Sequence, residues 1–207
     1  MYSDLFVDPD AFFRREAESV STVPPLAVVV VAALTAAFIP LVVLYFLAEI
    51  TARGVGSYVW LFGSVGVVGG MLSVVGMWMV AALCMHFVGF YLGGRGSLRG
   101  TVLVAGWGFL PLILTNVVNA FFIYRIVSGA IAQAGAEAVT PRYLTTVLTG
   151  HPMLLVAKVV SLVGILWMAF LWTFAVKNIH DLDLGQSAVA VTVPTVAILA
   201  YWVLRGF

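Results

Sequence analysis

The chain has 207 residues, of which 63% are hydrophobic and only 9% charged, and its formal net charge is +1. A soluble domain of this size carries about 25% charged residues, so this chain is expected to be an integral membrane protein. The near-neutral charge argues against nucleic acid as a partner, because nucleic-acid binding calls for a strongly basic face.

The first 23 residues are predicted to form a cytoplasmic acidic N-terminus that contains an amphipathic helix. Asp8 followed by Pro9 is typical of a helix N-cap and the first helical position. Phe12 and Phe13 give this helix an apolar face beside charged residues. We expect it to lie in the headgroup layer with both phenylalanines toward lipid. A flexible acidic tail is the alternative.

Residues 24–207 are predicted to form a transmembrane domain of five helices, so the expected fold class is all-α. A bilayer core of about 30 Å requires about 20 apolar residues in a helix. Five stretches reach or approach that length, at residues 24–47, 58–92, 101–124, 152–176 and 188–204. Between the third and fourth stretches, Thr140, Pro141 and Gly150 have the spacing of a cap, a start and an end of a short surface helix.

The orientation of the chain is predicted from its short basic link, "GGRGSLRG", which contains Arg95 and Arg99. By the positive-inside rule this link faces the cytoplasm, which places the N-terminus inside and the C-terminus outside. A composition rich in Ala, Val and Gly, with arginine in excess of lysine, favours a prokaryotic cytoplasmic membrane.

The third apolar stretch contains a helix breaker, Pro111. Gly106 and Gly108 precede it, and a run of polar residues follows it. A proline lacks an N–H group and crowds the preceding turn, so we expect a kink here. The two glycines would let another backbone approach closely, and the second stretch offers two pairs as partners, Gly66 with Gly70 and Gly89 with Gly93. Helix packing is favoured over a ligand role for these glycines.

Four polar residues are predicted to meet near the outer face of the membrane: Glu49, Asn116, Asn119 and Lys158. At about 1.5 Å per residue, Asn119 and Lys158 both lie roughly 8–9 Å from the outer ends of their stretches. Ionisable residues inside a span are candidates for a functional site. The alternatives are hydrogen bonds between helices for the asparagines and a lysine that extends to the interface.

A second group is predicted at inner depth, where His86 lies at a level similar to that of Trp107 and Trp172. We interpret it as an aromatic cluster around the histidine. The alternative is a lone histidine that hydrogen-bonds a neighbouring helix.

Three stretches of the chain are similar to a known family. They are "DPDAFFRREAESVSTVPPLAVVVVAAL", "GSLRGTVLVAGWGFLPLIL" and "LWMAFLWTFAVKNIHDLDLGQSAVAVTVP". In this order they resemble the amphipathic lead-in, the Gly-aromatic-Pro third span and the fourth-to-fifth-span turn of the prokaryotic type of the Yip family, whose members carry a Ypt-interacting-protein domain. The resemblance implies five spans with the N-terminus inside. Eukaryotic relatives bind prenylated small GTPases, so a small GTPase is a partner here by that analogy alone.

No catalytic, nucleotide-binding or metal-binding motif is present in the sequence, so no enzymatic activity, cofactor or metal is expected. The favoured function is a membrane scaffold or adaptor that takes part in membrane organisation or trafficking. Its expected partners are the lipid bilayer and either further copies of the chain or other membrane proteins. The alternative is a small-solute or ion transporter or channel subunit built around the outer polar cluster.

Overall fold

The computed structural model describes residues 2–51, 56–135 and 140–204, and these residues form helices without any strand. The all-α prediction is therefore confirmed. The helices in these ranges are α1 Asp4–Val7, α2 Pro9–Glu18, α3 Val23–Ala36, α4 Phe38–Thr51, α5 Gly56–Tyr91, α6 Leu98–Trp107, α7 Leu110–Ala134, α8 Pro141–Gly150, α9 Pro152–His180 and α10 Leu184–Leu204.

Within the described part of the chain, five helical stretches are long and apolar enough to cross a membrane. They are Val23–Ala48, Gly63–Tyr91, Leu98–Ala134, Pro152–His180 and Leu184–Leu204, numbered here as spans 1 to 5. Span 1 joins α3 to α4, and span 3 joins α6 to α7. The chain is thus an integral membrane protein with five spans.

In both broken spans, the helix ends four residues before a proline. A proline cannot donate to the carbonyl four residues earlier, and its ring crowds that turn. Helix α3 ends at Ala36, four residues before Pro40, and α6 ends at Trp107, four residues before Pro111. The kink predicted in span 3 is therefore present, and span 1 contains a second one of the same origin.

The five spans form a closed ring in the order 1, 2, 5, 4, 3, so that each packs against its two neighbours. The two parts of span 3 pack differently. Helix α6 contacts α5 across the ring, whereas α7 packs against α3, α4 and α9. The break before Pro111 therefore lets one half of span 3 fill the centre of the ring.

One end of the bundle is closed by the turn between spans 2 and 3, where the backbone N–H of Arg95 donates to the carbonyl of His180 at 3.0 Å. We call this the Arg95 end. The half of the ring near it has an apolar core that includes Trp78, Phe109 and Trp172.

The N-terminal helices α1 and α2 lie against the bundle at the Arg95 end. Asp8 caps α2 as predicted, since its carboxylate accepts from the backbone N–H of Ala11 at 3.0 Å. Phe12 and Phe13 are only 3% and 1% exposed and pack with Trp107 and its neighbours on α6 and α9. The prediction that these phenylalanines face lipid was wrong, because the apolar face of α2 is covered by protein.

The surface helix predicted after span 3 is also present as α8. It begins at Pro141 after a cap in which the hydroxyl of Thr140 accepts from the N–H of Tyr143 at 3.1 Å.

Candidate functional site

The break in span 3 is stabilised by a tryptophan from span 4. The indole N–H of Trp172 donates to the carbonyl of Ala105 at 2.8 Å, in the last turn of α6. Trp172 is fully buried. The same carbonyl also accepts from the backbone N–H of Gly108 at 3.2 Å, so the indole is a second donor at the end of α6, where the regular i to i+4 bonds stop.

Gly108 makes room for that tryptophan. A Cβ atom built on Gly108 would overlap the Trp172 indole ring, and one on Gly106 would lie 2.8 Å from the carbonyl oxygen of Pro25 in span 1. These glycines therefore allow close approach of spans 4 and 1, and packing is their role in the structure.

The glycines of span 2 have a different neighbour from the one predicted. A Cβ atom on Gly66 would lie 3.7 Å from Pro40, and one on Gly70 would lie 3.1 Å from the carbonyl oxygen of Ala36. The prediction that Gly66 and Gly70 pair with the span 3 glycines was wrong. Span 2 instead packs them against the kink of span 1, where the bend brings the backbone close.

The two asparagines of span 3 bond to different spans. The Asn116 amide donates to the carbonyl of Ala32 at 3.3 Å and to the hydroxyl of Thr35 at 3.2 Å, both in span 1. The Asn119 amide donates to the hydroxyl of Ser161 in span 4 at 2.8 Å. These bonds are of the interhelical kind named as the alternative to a functional cluster.

Lys158 lies one helical turn from Ser161 in span 4 and is half-buried. Among the residues whose side chains are described, it forms no hydrogen bond or ion pair. The side chain of Glu49 lies outside the described part of the chain. A contact between Asn119 and Lys158 therefore stays a prediction. The hydrogen bond that the structure describes for the Asn119 side chain is the one to Ser161.

A cavity of about 490 Å³ occupies the ring in the half away from the Arg95 end. All five spans contribute to its wall, which is mainly apolar and carries the polar side chains of Ser73, Asn116, Asn119 and Ser161. It exists because α7 has left the centre of the ring that α6 fills. The structure thus brings both predicted asparagines to one cavity.

The wall of this cavity carries two polar atoms that lack a partner among the described residues: Oδ1 of Asn119 and the indole N–H of Trp202. Asn119 is only 7% exposed. Unpartnered buried polar atoms are uncommon in folded proteins. They make the cavity the candidate site.

The histidine of span 2 belongs to a separate group near the Arg95 end. Nδ1 of His86 lies 3.3 Å from the Thr101 hydroxyl, and Nε2 of the fully buried His180 lies 2.9 Å from the same oxygen. The two imidazole rings are 5.3 Å apart between centroids. His86 therefore bonds a neighbouring helix, as the alternative interpretation had it.

The two tryptophans predicted beside His86 have other ring partners. Trp107 meets Phe12 edge-on at 5.2 Å, and Trp172 contacts Phe109 at 5.8 Å. In the described part of the chain, the ring contacts of His86 are with Phe87 and His180.

Polar contacts hold α2 in place. The Asp10 carboxylate accepts from Nζ of Lys177 at 2.7 Å and from the amide of Asn178 at 2.9 Å. These hydrogen bonds lower the pKa of Asp10 to about 2, although partial desolvation opposes them. The carboxylate is therefore charged at every physiological pH.

Sequence reasoning missed His180, Thr101, Ser161 and Trp202. Thr101, Ser161 and Trp202 lie inside apolar stretches where a hydroxyl or an indole is common. By the same depth count Ser161 lies roughly 14 Å from the outer end of its stretch and Asn119 roughly 8 Å, so depth arithmetic would not have paired them. Among the described residues, no group of three or more histidine, cysteine or acidic side chains could hold a metal ion.

Five helical spans in a closed ring, with a capped N-terminal helix docked at one end, define an all-α integral membrane protein. The Yip1 domain family matches residues 3–205, and the chain belongs to this family. No curated protein and no solved structure matches the chain.

Proposed function

We propose that this Yip family protein is a non-enzymatic membrane scaffold or adaptor whose partner-binding face is the charged side of α2. The main support is that Phe12, Phe13 and Asp10 hold α2 against the bundle. The side of α2 that faces away from the bundle therefore has a fixed position. Arg14 and Arg15 are on that side, with side chains 65% and 51% exposed.

The polar face of α2 supports a protein partner because it is both ordered and charged. Arg14 pairs with Asp10 and Arg15 pairs with Asp4, which restrains the two guanidinium groups. Restrained charges lose less conformational entropy on binding than free ones, and charge complementarity selects the partner. Other membrane proteins, further copies of the chain and, by family analogy, a prenylated small GTPase are the partners to test.

Photocrosslinking in native membranes tests the adaptor role. A photoreactive residue at position 14 is expected to give discrete protein adducts, whereas the same residue at Val163, on the exposed apolar side of span 4, is the matched control. The charge-reversed variant Arg15→Glu with a crosslinker at position 14 should lose the adducts. Identical adduct patterns at positions 14 and 163 would contradict the proposal.

The orientation in the membrane is part of the proposal, since an adaptor for cytosolic partners requires α2 on the cytoplasmic side. The docking of α2 at the Arg95 end supports a common side for α2 and the basic link. In a Cys84→Ala background, Arg99→Cys should be labelled from inside and Arg142→Cys from outside. Labelling of position 99 by an impermeant reagent added to intact cells would contradict this orientation.

A transporter or channel subunit is the second candidate, and the cavity with its two asparagines is the observation in its favour. A transport path also has to cross the half of the ring near the Arg95 end, where Trp78, Phe109 and Trp172 are packed. Flux of small solutes or ions in protein-containing liposomes, compared with empty liposomes, separates the two candidates. Flux above the empty-liposome level would favour transport over the adaptor role.

A further inference from the structure

The cavity away from the Arg95 end has the properties of a ligand site rather than of a packing defect. Its volume of about 490 Å³ falls in the range of small-molecule pockets, roughly 300–1,000 Å³. Such pockets are mostly apolar and have a few polar groups that orient the ligand. Here the polar groups without a partner among the described residues are Asn119 Oδ1 and the Trp202 N–H.

By residue count, these two atoms lie at similar heights in the bundle. Counted at about 1.5 Å per residue from the Arg95 end, Asn119 lies roughly 30 Å along span 3 and Trp202 roughly 27 Å along span 5. Ser161, which bonds Asn119, lies roughly 28 Å along span 4 by the same count. Both residues line the same cavity, so a ligand that fills it would meet both polar atoms.

The chemistry of the two atoms specifies the polar group of the ligand. The indole of Trp202 can only donate, whereas the free atom of Asn119 is an acceptor in one orientation of the amide and a donor in the other. A hydroxyl group both donates and accepts, so it can pair with either atom whichever way the amide is oriented. A charged group is disfavoured, because no described side chain on the cavity wall carries a charge.

The rest of the cavity specifies the body of the ligand. The wall is dominated by Val, Ile, Met, Leu and Ala side chains. Water is a poor occupant of the apolar part of this space, since each buried molecule needs 2–4 polar partners and the polar side chains cover only a minor part of the wall. Exposed wall residues on spans 2 and 5, among them Gly76 and Tyr201, place an opening on the side of the bundle that faces lipid. A hydrocarbon body could enter from the membrane by that route.

We propose that this cavity binds a neutral amphiphile from the membrane, with a hydroxyl group on an apolar body, and that Asn119 and Trp202 are the polar contacts of the site. This site is additional to the proposed adaptor role and does not depend on it.

The test is photolabelling of the full chain in nanodiscs with two probes of equal length, a photoreactive long-chain alcohol and the matched alkane without the hydroxyl. Labelled peptides are quantified by mass spectrometry, with the lipid-facing side of span 4 as the internal reference. The alcohol is expected to label the cavity walls above the reference level, and the alkane is expected to label them at least about threefold less.

Two variants with matched controls link this labelling to the cavity. Trp202→Phe removes the donor and should weaken alcohol labelling about three- to tenfold, while Trp78→Phe, whose N–H bonds Val102 outside the cavity, should not. Gly76→Leu should obstruct the cavity, since a Cβ there meets nothing within 4 Å, whereas Gly69→Leu, equally free but off the cavity wall, should leave labelling unchanged. Thermal unfolding without ligand verifies that each variant folds.

Equal cavity labelling by alcohol and alkane would overturn the proposal, because it would show that the hydroxyl is not recognised. Labelling at the reference level by both probes would overturn it as well, as would unchanged labelling in a folded Trp202→Phe protein.

Discussion

The two halves of the helical ring use the same kinds of residue to opposite effect. Near the Arg95 end, the indole N–H groups of Trp78 and Trp172 donate to the carbonyls of Val102 and Ala105 at 2.8 Å, and apolar side chains fill the centre. In the other half, the indole of Trp202 has no acceptor among the described residues and faces a cavity.

This difference originates in the break of span 3. Trp78 and Trp172 find acceptors because α6 runs through the centre of the ring, where the carbonyls of Val102 and Ala105 are within reach of the two indoles. Past Pro111 the chain continues as α7 on the rim, so the space it leaves is open and its polar lining is incomplete. From a filled and a hollow half within one bundle we expect substitutions in the first half to cost more stability and ligand binding to be confined to the second.

The largest effect on stability is expected from Gly108→Ala. The added Cβ would overlap the buried indole of Trp172, and such overpacking costs about 1–3 kcal/mol of unfolding free energy. Gly129→Ala is the matched control in the same span, because a Cβ at that position meets nothing within 4 Å. Thermal unfolding in detergent measures both. Equal midpoints for the two variants would mean that the packing of Trp172 does not stabilise the first half.

A smaller effect is expected from removing one indole N–H in each half. Trp172→Phe loses the bond to Ala105 and should destabilise the fold by about 1 kcal/mol. Trp202→Phe loses no bond to a described residue, so its unliganded unfolding midpoint should match that of the wild type. An equal loss for both variants in delipidated protein would contradict the contrast between the halves.

The docking of α2 at the filled half should depend on pH only under strong acid. The folded pKa of Asp10, about 2, lies below its ordinary value of 3.8. The stabilisation is therefore present above about pH 4 and is lost as the pH falls from 4 toward 2. A spin label at Ala17 should report a held helix at pH 5 and a mobile one near pH 2. In the control variant Asp10→Ala, mobility at pH 5 should already exceed that of the wild type.

The smallest effect is expected from Lys158→Met in the hollow half. Lys158 forms no ion pair with a described side chain, and exposed or half-exposed charges contribute little, so the unfolding midpoint should change by less than that of Trp172→Phe. A larger loss, reversed by the double variant with Glu49→Gln, would establish instead that Lys158 and Glu49 form the predicted outer pair.

Much of the fold could be predicted because it depends on local properties of the chain. Apolar length identified five spans, Pro111 identified the kink, and Asp8 and Thr140 identified two helix caps. Each of these signals acts within one or two turns of the same helix. Partner choice could not be predicted in this way, as the contacts of Gly66 and Gly70 with span 1 show.

The sequence by itself determined the class of this protein, since a chain with so few charges cannot cover a water-facing surface and its apolar stretches have the length of spanning helices. Proline marked the candidate positions for breaks, which occur before Pro40 and Pro111 but not at Pro194, inside the continuous helix α10. Only the tertiary structure decided that Phe12 and Phe13 meet protein rather than lipid, that His86 faces His180 across Thr101, and that Asn119 and Trp202 face one cavity. These outcomes depend on which helix faces are brought together, and apolar faces of similar composition leave that choice to three-dimensional packing.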